Sequence, residues 1–143
     1  MINKLCYYLL MNYKKIKFRK NGDARGQLVA LEQNGNIPFT IKRVYYIYNT
    51  LNNVVRGKHA HKKLKQILIC VSGSCKILLD DGTSKKNIIL NKPYEGLYIS
   101  NDIWREMYDF DDNTVLLVVA SEKYNENDYI RNYDDFIKYI KRK

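Results

Sequence analysis

The sequence predicts an all-β architecture, a sandwich or barrel, finished by one short C-terminal helix. Three observations carry this. Short apolar runs follow one another from residue 28 to residue 120, polar turn signals separate them, and helical spacing of apolar residues appears only near the C-terminus. With 143 residues and 45% hydrophobic content, the chain reads as a single domain spanning 1–143.

Taken in order, residues 1–18 read as an N-terminal strand or arm. The apolar run Leu5 to Met11 is too short to span a membrane, lacks a small-residue cleavage site and runs into Asn12 and Lys14-Lys15. Met11 is an alternative start, because the stretch with recognisable motifs begins just after it. From Phe39 to Tyr48, β-branched and aromatic residues alternate with their neighbours as on a pleated surface. Further strands are expected at 66–71, 75–79, 87–90 and 114–120, with turns at Ser72-Gly73-Ser74, Asp80-Asp81-Gly82 and Asp111-Asp112-Asn113. Asp81-Gly82 is the strongest hairpin signal, since both residue types tolerate positive φ. The helix is expected over 128–143, where Ile130, Tyr133, Phe136, Ile137 and Ile140 would form one apolar face.

The formal charge of +10 comes mostly from scattered lysines, at Lys62-Lys63, Lys85-Lys86 and the tail from Lys138 to Lys143. Unclustered lysine reads as solvated surface, which argues against nucleic acid and favours a small anionic ligand. Arginine occurs only seven times, and its planar fork suits diphosphate or carboxylate. Cys6, Cys70 and Cys75 are odd in number and form no close pair motif, so the reading is a reduced, cytoplasmic protein without a membrane segment.

Both histidines lie in Arg56-Gly57-Lys58-His59-Ala60-His61. Two apart in a strand, their side chains emerge on one face. His59-x-His61, Gln66 and Gly73 follow the spacing of the first motif of the cupin superfamily, and Ile103-Trp104-Arg105-Glu106-Met107 resembles the second. Metal-binding cupins carry glutamate where Gln66 stands and histidine where Arg105 stands. A guanidinium has no lone pair to donate and an amide is a poor substitute for a carboxylate, so no metal and no other cofactor is expected. The expected pocket contains His59, His61, Gln66, Trp104, Arg105, Arg43 and Tyr45. It offers a base near neutral pH, a phenol and cations, the parts that enolisation beside a ketone requires.

Further blocks, Gly22 to Gly26, Lys42 to Ile47, Gly96 to Ile99 and Asp128 to Arg131, extend the likeness over nearly everything from Gly22 onward. In these the chain resembles the sugar 3,4-ketoisomerases that act on dTDP-4-keto-6-deoxyglucose, a WxcM-like cupin family with a double-stranded β-helix, or jelly-roll barrel. The resemblance implies isomerisation to a dTDP-3-keto-6-deoxyhexose for amination and glycan assembly: proton removal at C3, an enediolate, and reprotonation at C4. It implies His59 as base, Tyr45 as its helper and His61 facing the hexose. Arg43, Arg56, Gln66 and Trp104 are expected substrate contacts. Arg25 and Arg105 would influence which face of C4 is protonated, and Arg105 matches the glucose-type subgroup. The resemblance also implies a homodimer that exchanges N-terminal strands. A dTDP-sugar 3,5-epimerase and a non-catalytic sugar-nucleotide-binding cupin remain the alternatives on sequence.

Overall fold

The computed structural model describes residues 11–143. Residues 1–10, with Cys6 and most of the expected N-terminal arm, lie outside the described residues. Among the described residues, twelve strands form in chain order: β1 (Tyr13–Lys17), β2 (Asn21–Asp23), β3 (Gly26–Leu28), β4 (Arg43–Ile47), β5 (Arg56–His61), β6 (Gln66–Ser72), β7 (Cys75–Asp80), β8 (Lys85–Leu90), β9 (Glu95–Ile99), β10 (Trp104–Tyr108), β11 (Val115–Ala120) and β12 (Tyr129–Ile130). A 3₁₀ turn at Glu126–Asp128 precedes β12, and the α-helix α1 (Tyr133–Lys141) follows it.

The strands pair antiparallel in two five-stranded sheets, ordered β1-β9-β6-β11-β4 and β12-β5-β10-β7-β8, with β2-β3 as a separate hairpin. The expected all-β fold therefore takes the form of two facing sheets, and among the described residues no ladder joins them into a closed barrel. Their inner faces share one core, in which Leu68 and Cys70 of β6 meet Ile77 and Leu79 of β7, Met107 of β10 and Val118 of β11.

Strand β6 explains its own unbroken apolar run. Leu68 and Cys70 point into the shared core, while Ile67 and Ile69 point the other way, beneath Phe18, Ile37 and Phe39. A strand covered on both faces needs no polar alternation. The same cover corrects the expected strand from Phe39: the ladder begins only at Arg43. Ahead of it Pro38 has no N–H to give, and the Ile41 amide donates to the Gln33 side chain instead of a neighbouring strand. The alternation through Phe39 and Ile41 reflects an extended plug lying over the sheet.

The helix also starts later than its apolar spacing predicts. Ile130 belongs to β12, paired with Ala60, and packs under Phe136 from outside the helix. Asn132 sets the start by accepting a hydrogen bond from the Asp135 amide at 3.0 Å. The helix is pinned where Tyr133 donates to Asp80 at 2.7 Å and Tyr139 donates to Asp102 at 2.8 Å. The Asp102 amide in turn donates to the carbonyl of His61 at 2.8 Å, so the helix steadies the strand that carries both histidines.

Phe136→Ala removes a fully buried ring from the packing of Trp104, Ala60 and Ile130. It should lower stability by about 3–5 kcal/mol. Asn132→Ala should cost about 1 kcal/mol. Urea unfolding of the two variants beside the parent checks the order.

Candidate active site

The site is built around a bulge. In β10 against β5, Arg105 faces His59, Glu106 faces Gly57 and Met107 faces Arg56, so Lys58 is an extra residue. Gly57 and Lys58 both have positive φ, +84° and +53°. A Cβ on Gly57 would lie 3.0 Å from the Arg105 carbonyl oxygen and 3.2 Å from Met107 Cε, which is why glycine stands there. The bulge also brings Arg56 to the face that His59 and Arg105 share, although an odd separation in a regular strand would put it on the other.

His59 and His61 meet edge to face, ring centroids 4.8 Å apart, and Tyr129 packs against both at 4.9 and 4.4 Å. His61 is fully buried and its Nδ1 lies 3.1 Å from Asp128 Oδ2. Arg105 is 1% exposed. Its Nη2 donates to the Ile103 carbonyl at 2.7 Å and its Nη1 to Gln66 Oε1 at 2.6 Å. Since guanidinium only donates, Gln66 must present its oxygen to Arg105 and its Nε2 to Tyr45, 3.0 Å away. The Tyr45 oxygen therefore accepts from Gln66, and its own proton is free to be donated into the pocket. The Arg43 guanidinium lies 4.5 Å from the Tyr45 ring and 5.4 Å from the Tyr124 ring.

Burial, reinforced by the Arg105 charge, pushes the His59 pKa down from 6.5 to about 4. The same two causes, with His59 and then Arg43 added, push His61 to about 2. Burial lowers Arg105 to about 10, still cationic at neutral pH, and burial raises Tyr45. Both imidazoles are thus neutral at pH 7. Three buried nitrogens here, His59 Nδ1, His61 Nε2 and Arg105 Nε, have no hydrogen-bond partner within the described residues. Each such group costs about 1–3 kcal/mol. Their convergence marks a place arranged for a polar ligand.

The structure thus brings together six of the expected residues: His59, His61, Tyr45, Gln66, Arg105 and Arg43. Arg56 shares their face at the exposed start of β5. Two of the expected residues are placed elsewhere in this chain. Trp104 is on the opposite face of β10, under α1, where it packs against Tyr133 and Phe136 and donates to Glu106 at 3.0 Å. Neighbours in a strand face opposite ways, so Trp104 and Arg105 do not share a pocket. Arg25 sits in the β2–β3 turn, its side chain 90% exposed and paired with Asp23 at 2.7 Å, and meets no pocket residue within this chain. Sequence reading missed Asp128 and Tyr129 as site residues. The one signal in the sequence is the block Asp128 to Arg131, which apolar spacing draws into the expected helix.

An open basin of about 490 Å³ shares Tyr124 and Asp128 with this site and is also lined by Lys42, Lys63 and Lys123.

Two facing sheets around this pocket define a cupin-like isomerase. The family described as FdtA: WxcM-like, C-terminal, matches residues 11–141, and the chain belongs to that family. It is 54% identical over 130 residues to the TDP-4-oxo-6-deoxy-alpha-D-glucose-3,4-oxoisomerase of Aneurinibacillus thermoaerophilus, covering 91% of this chain and 94% of that one. Among solved structures it resembles a 3,4-ketoisomerase from Helicobacter canadensis, with TM-score 0.90 and 52% identity over 92% of this chain and 99% of that one. It also resembles a His-to-Asn mutant of the 3,4-ketoisomerase QdtA from Thermoanaerobacterium thermosaccharolyticum in complex with TDP-4-keto-6-deoxyglucose. There the TM-score is 0.92 and the identity 50%, over 94% and 98% of the two chains.

If His59 is the base, its low pKa has a kinetic signature. The acid limb of kcat/KM, which reports the free enzyme, should lie near pH 4, with no inflection at the ordinary histidine value of 6.5. Initial rates at low substrate across that range check it.

Proposed function

We propose that this chain converts dTDP-4-keto-6-deoxyglucose to a dTDP-3-keto-6-deoxyhexose. The observation that carries the reading is a neutral imidazole, His59, set cross-strand from the buried Arg105 cation, with a phenol free to donate nearby. His59 takes the proton from C3, and the electrons of that C–H bond form the C3=C4 enediolate. Arg105 and Tyr45 hold the developing negative oxygen. A proton is delivered to C4, the C3 hydroxyl loses its own while the C4 oxygen takes one up, and the carbonyl has moved by one carbon. No redox partner is needed, because C3 is oxidised as C4 is reduced.

We propose a metal-free reaction. The support is chemical: at the two positions where metal-binding cupins carry ligands, Gln66 and Arg105 bond to each other, and a permanent cation would repel a metal ion. Arg43, Arg56 and the lysines of the adjoining basin are the proposed diphosphate contacts. A homodimer exchanging N-terminal strands is proposed as well. In its support, Val44 and Tyr46 of the edge strand β4 and Tyr48 just after it lie exposed, the two tyrosine ring centroids 5.9 Å apart. Within one chain, β1 pairs with β9. Arg25 enters the proposal only through such an assembly, because its own chain engages it with Asp23. A cytoplasmic role in deoxyaminosugar and surface-glycan synthesis completes the reading. It is consistent with the free thiols of Cys70 and Cys75 and with the absence of a helix long and apolar enough to cross a membrane, among the described residues.

Incubation with dTDP-4-keto-6-deoxyglucose in D₂O, read by NMR, should give a C3 ketone. The C4 coupling constant then reports glucose or galactose configuration. Deuterium at C5 without carbonyl migration would replace this reading with epimerisation, and binding with no exchange at any carbon would make the chain a non-catalytic binder. His59→Asn should cut kcat by about 10²–10⁴-fold with the fold intact by circular dichroism; wild-type turnover would remove His59 from the mechanism. EDTA should leave the rate unchanged, whereas loss restored by added metal would overturn the metal-free mechanism.

A further inference from the structure

Asp128 lies outside the two histidine and arginine motifs, yet it is tied to the site by three contacts. Its Oδ1 accepts the Lys63 amide at 2.8 Å, its Oδ2 accepts the Leu64 amide at 3.3 Å, and the same Oδ2 lies 3.1 Å from His61 Nδ1. Two backbone N–H groups donate to this one carboxylate, and a carboxylate can only accept. The proton between Asp128 and His61 therefore belongs to Nδ1. An imidazole that is neutral and protonated at Nδ1 carries its lone pair at Nε2. That atom is buried, with no partner among the described residues. Tyr129, packed on the ring at 4.4 Å, opposes a flip that would exchange the two nitrogens.

We infer that Asp128 is a positioning residue that fixes His61 as the Nδ1–H tautomer, holding Nε2 as an acceptor for a substrate hydroxyl. This rests on the proposed reaction for its substrate but not for its structural core. The chemistry calls for such an acceptor. Moving a carbonyl onto C3 breaks two bonds to hydrogen, C3–H and O3–H, and a base committed to the carbon does not at the same moment receive the hydroxyl proton. His59 is assigned the first. The bare Nε2 of His61, on the same face of β5, is suited to the second. In the opposite tautomer Nε2 would donate, and it would compete with Arg105 and Tyr45 for the ketone oxygen instead of drawing on the hydroxyl.

The chain contains only two histidines, so the tautomers can be read directly. Long-range ¹H–¹⁵N correlation on uniformly ¹⁵N-labelled protein at neutral pH should show one imidazole locked as Nδ1–H, assigned to His61 by its persistence in His59→Asn. In Asp128→Asn, whose amide can donate to Nδ1, that signature should be lost. Asp128→Glu, which keeps the carboxylate, should restore it at least in part. With substrate, kcat of Asp128→Asn should fall by about 10²–10⁴-fold, as for other histidines left in the wrong tautomer, with KM little changed. An Nε2–H pattern for His61 in the parent protein, or an unchanged pattern in Asp128→Asn, overturns the inference. The parent spectrum decides even if that variant does not fold. Because the tautomer is measured without substrate, failure of the reaction assay leaves this result standing, and the reverse holds too.

Discussion

The constraint on which the site depends is one guanidinium kept almost entirely out of water. Arg105 donates to two neutral oxygens, Gln66 Oε1 and the Ile103 carbonyl, and no carboxylate is within ion-pairing distance of it among the described residues. A buried charge without a counter-ion is costly by several kcal/mol. The protein accepts that cost where a ligand can relieve it. A 4-keto sugar brings a neutral oxygen that becomes anionic only as the C3 proton leaves. The cation is then worth more in the transition state than in the ground state, which is the condition for accelerating the chemical step.

From that one charge the remaining polarity follows. Because Arg105 cannot accept, the Gln66 amide is oriented, and because the amide is oriented, Tyr45 must accept from it and keep its own proton for the pocket. The neutrality of both imidazoles has burial as its first cause and the same guanidinium as its second. The bulge at Lys58 converts these separate facts into one site. Without the extra residue, the alternation of a regular strand would put Arg56 and His59 on opposite faces of β5.

The legible part of the sequence was the part with a local signature. The Asp81-Gly82 turn forms where expected, with Gly82 at φ +91° and Asp81 Oδ1 accepting from the Thr83 and Ser84 amides. His59 and His61 share a face because a two-residue period requires it. What escaped was fixed by tertiary contact. Ile130 matches the helical spacing of Phe136 and Ile137 because all three line one apolar patch, not because they belong to one helix. Trp104 and Arg105 are adjacent in one motif, yet strand alternation sends them to opposite faces of β10. Asp128 could not be found from spacing at all: it lies 67 residues from His61, and only the pairing of β12 with β5 brings them together.

For the proposed base His59, a pKa near 4 is weak for removing a proton from carbon, and the arrangement has to answer that. Part of the depression is the field of Arg105, and that part is conditional. Unit charges about 6 Å apart in a medium of effective dielectric about 20 interact by about 3 kcal/mol, or about two pKa units. In the proposed mechanism, negative charge building on the sugar oxygen beside Arg105 offsets the cation's effect on His59 in step with the reaction. As the enediolate forms, the imidazolium becomes progressively less unfavourable, so the base strengthens while it acts. The resting site stays neutral and resists stray protonation, and the intermediate itself supplies the charge that makes proton transfer favourable. A pocket with a metal at the Arg105 position would hold an ion of higher charge whose ligands must include the same histidines. The lone pairs that the proposed mechanism uses as bases would then be committed to the metal, a conflict that a guanidinium, with no lone pair to fill, does not create.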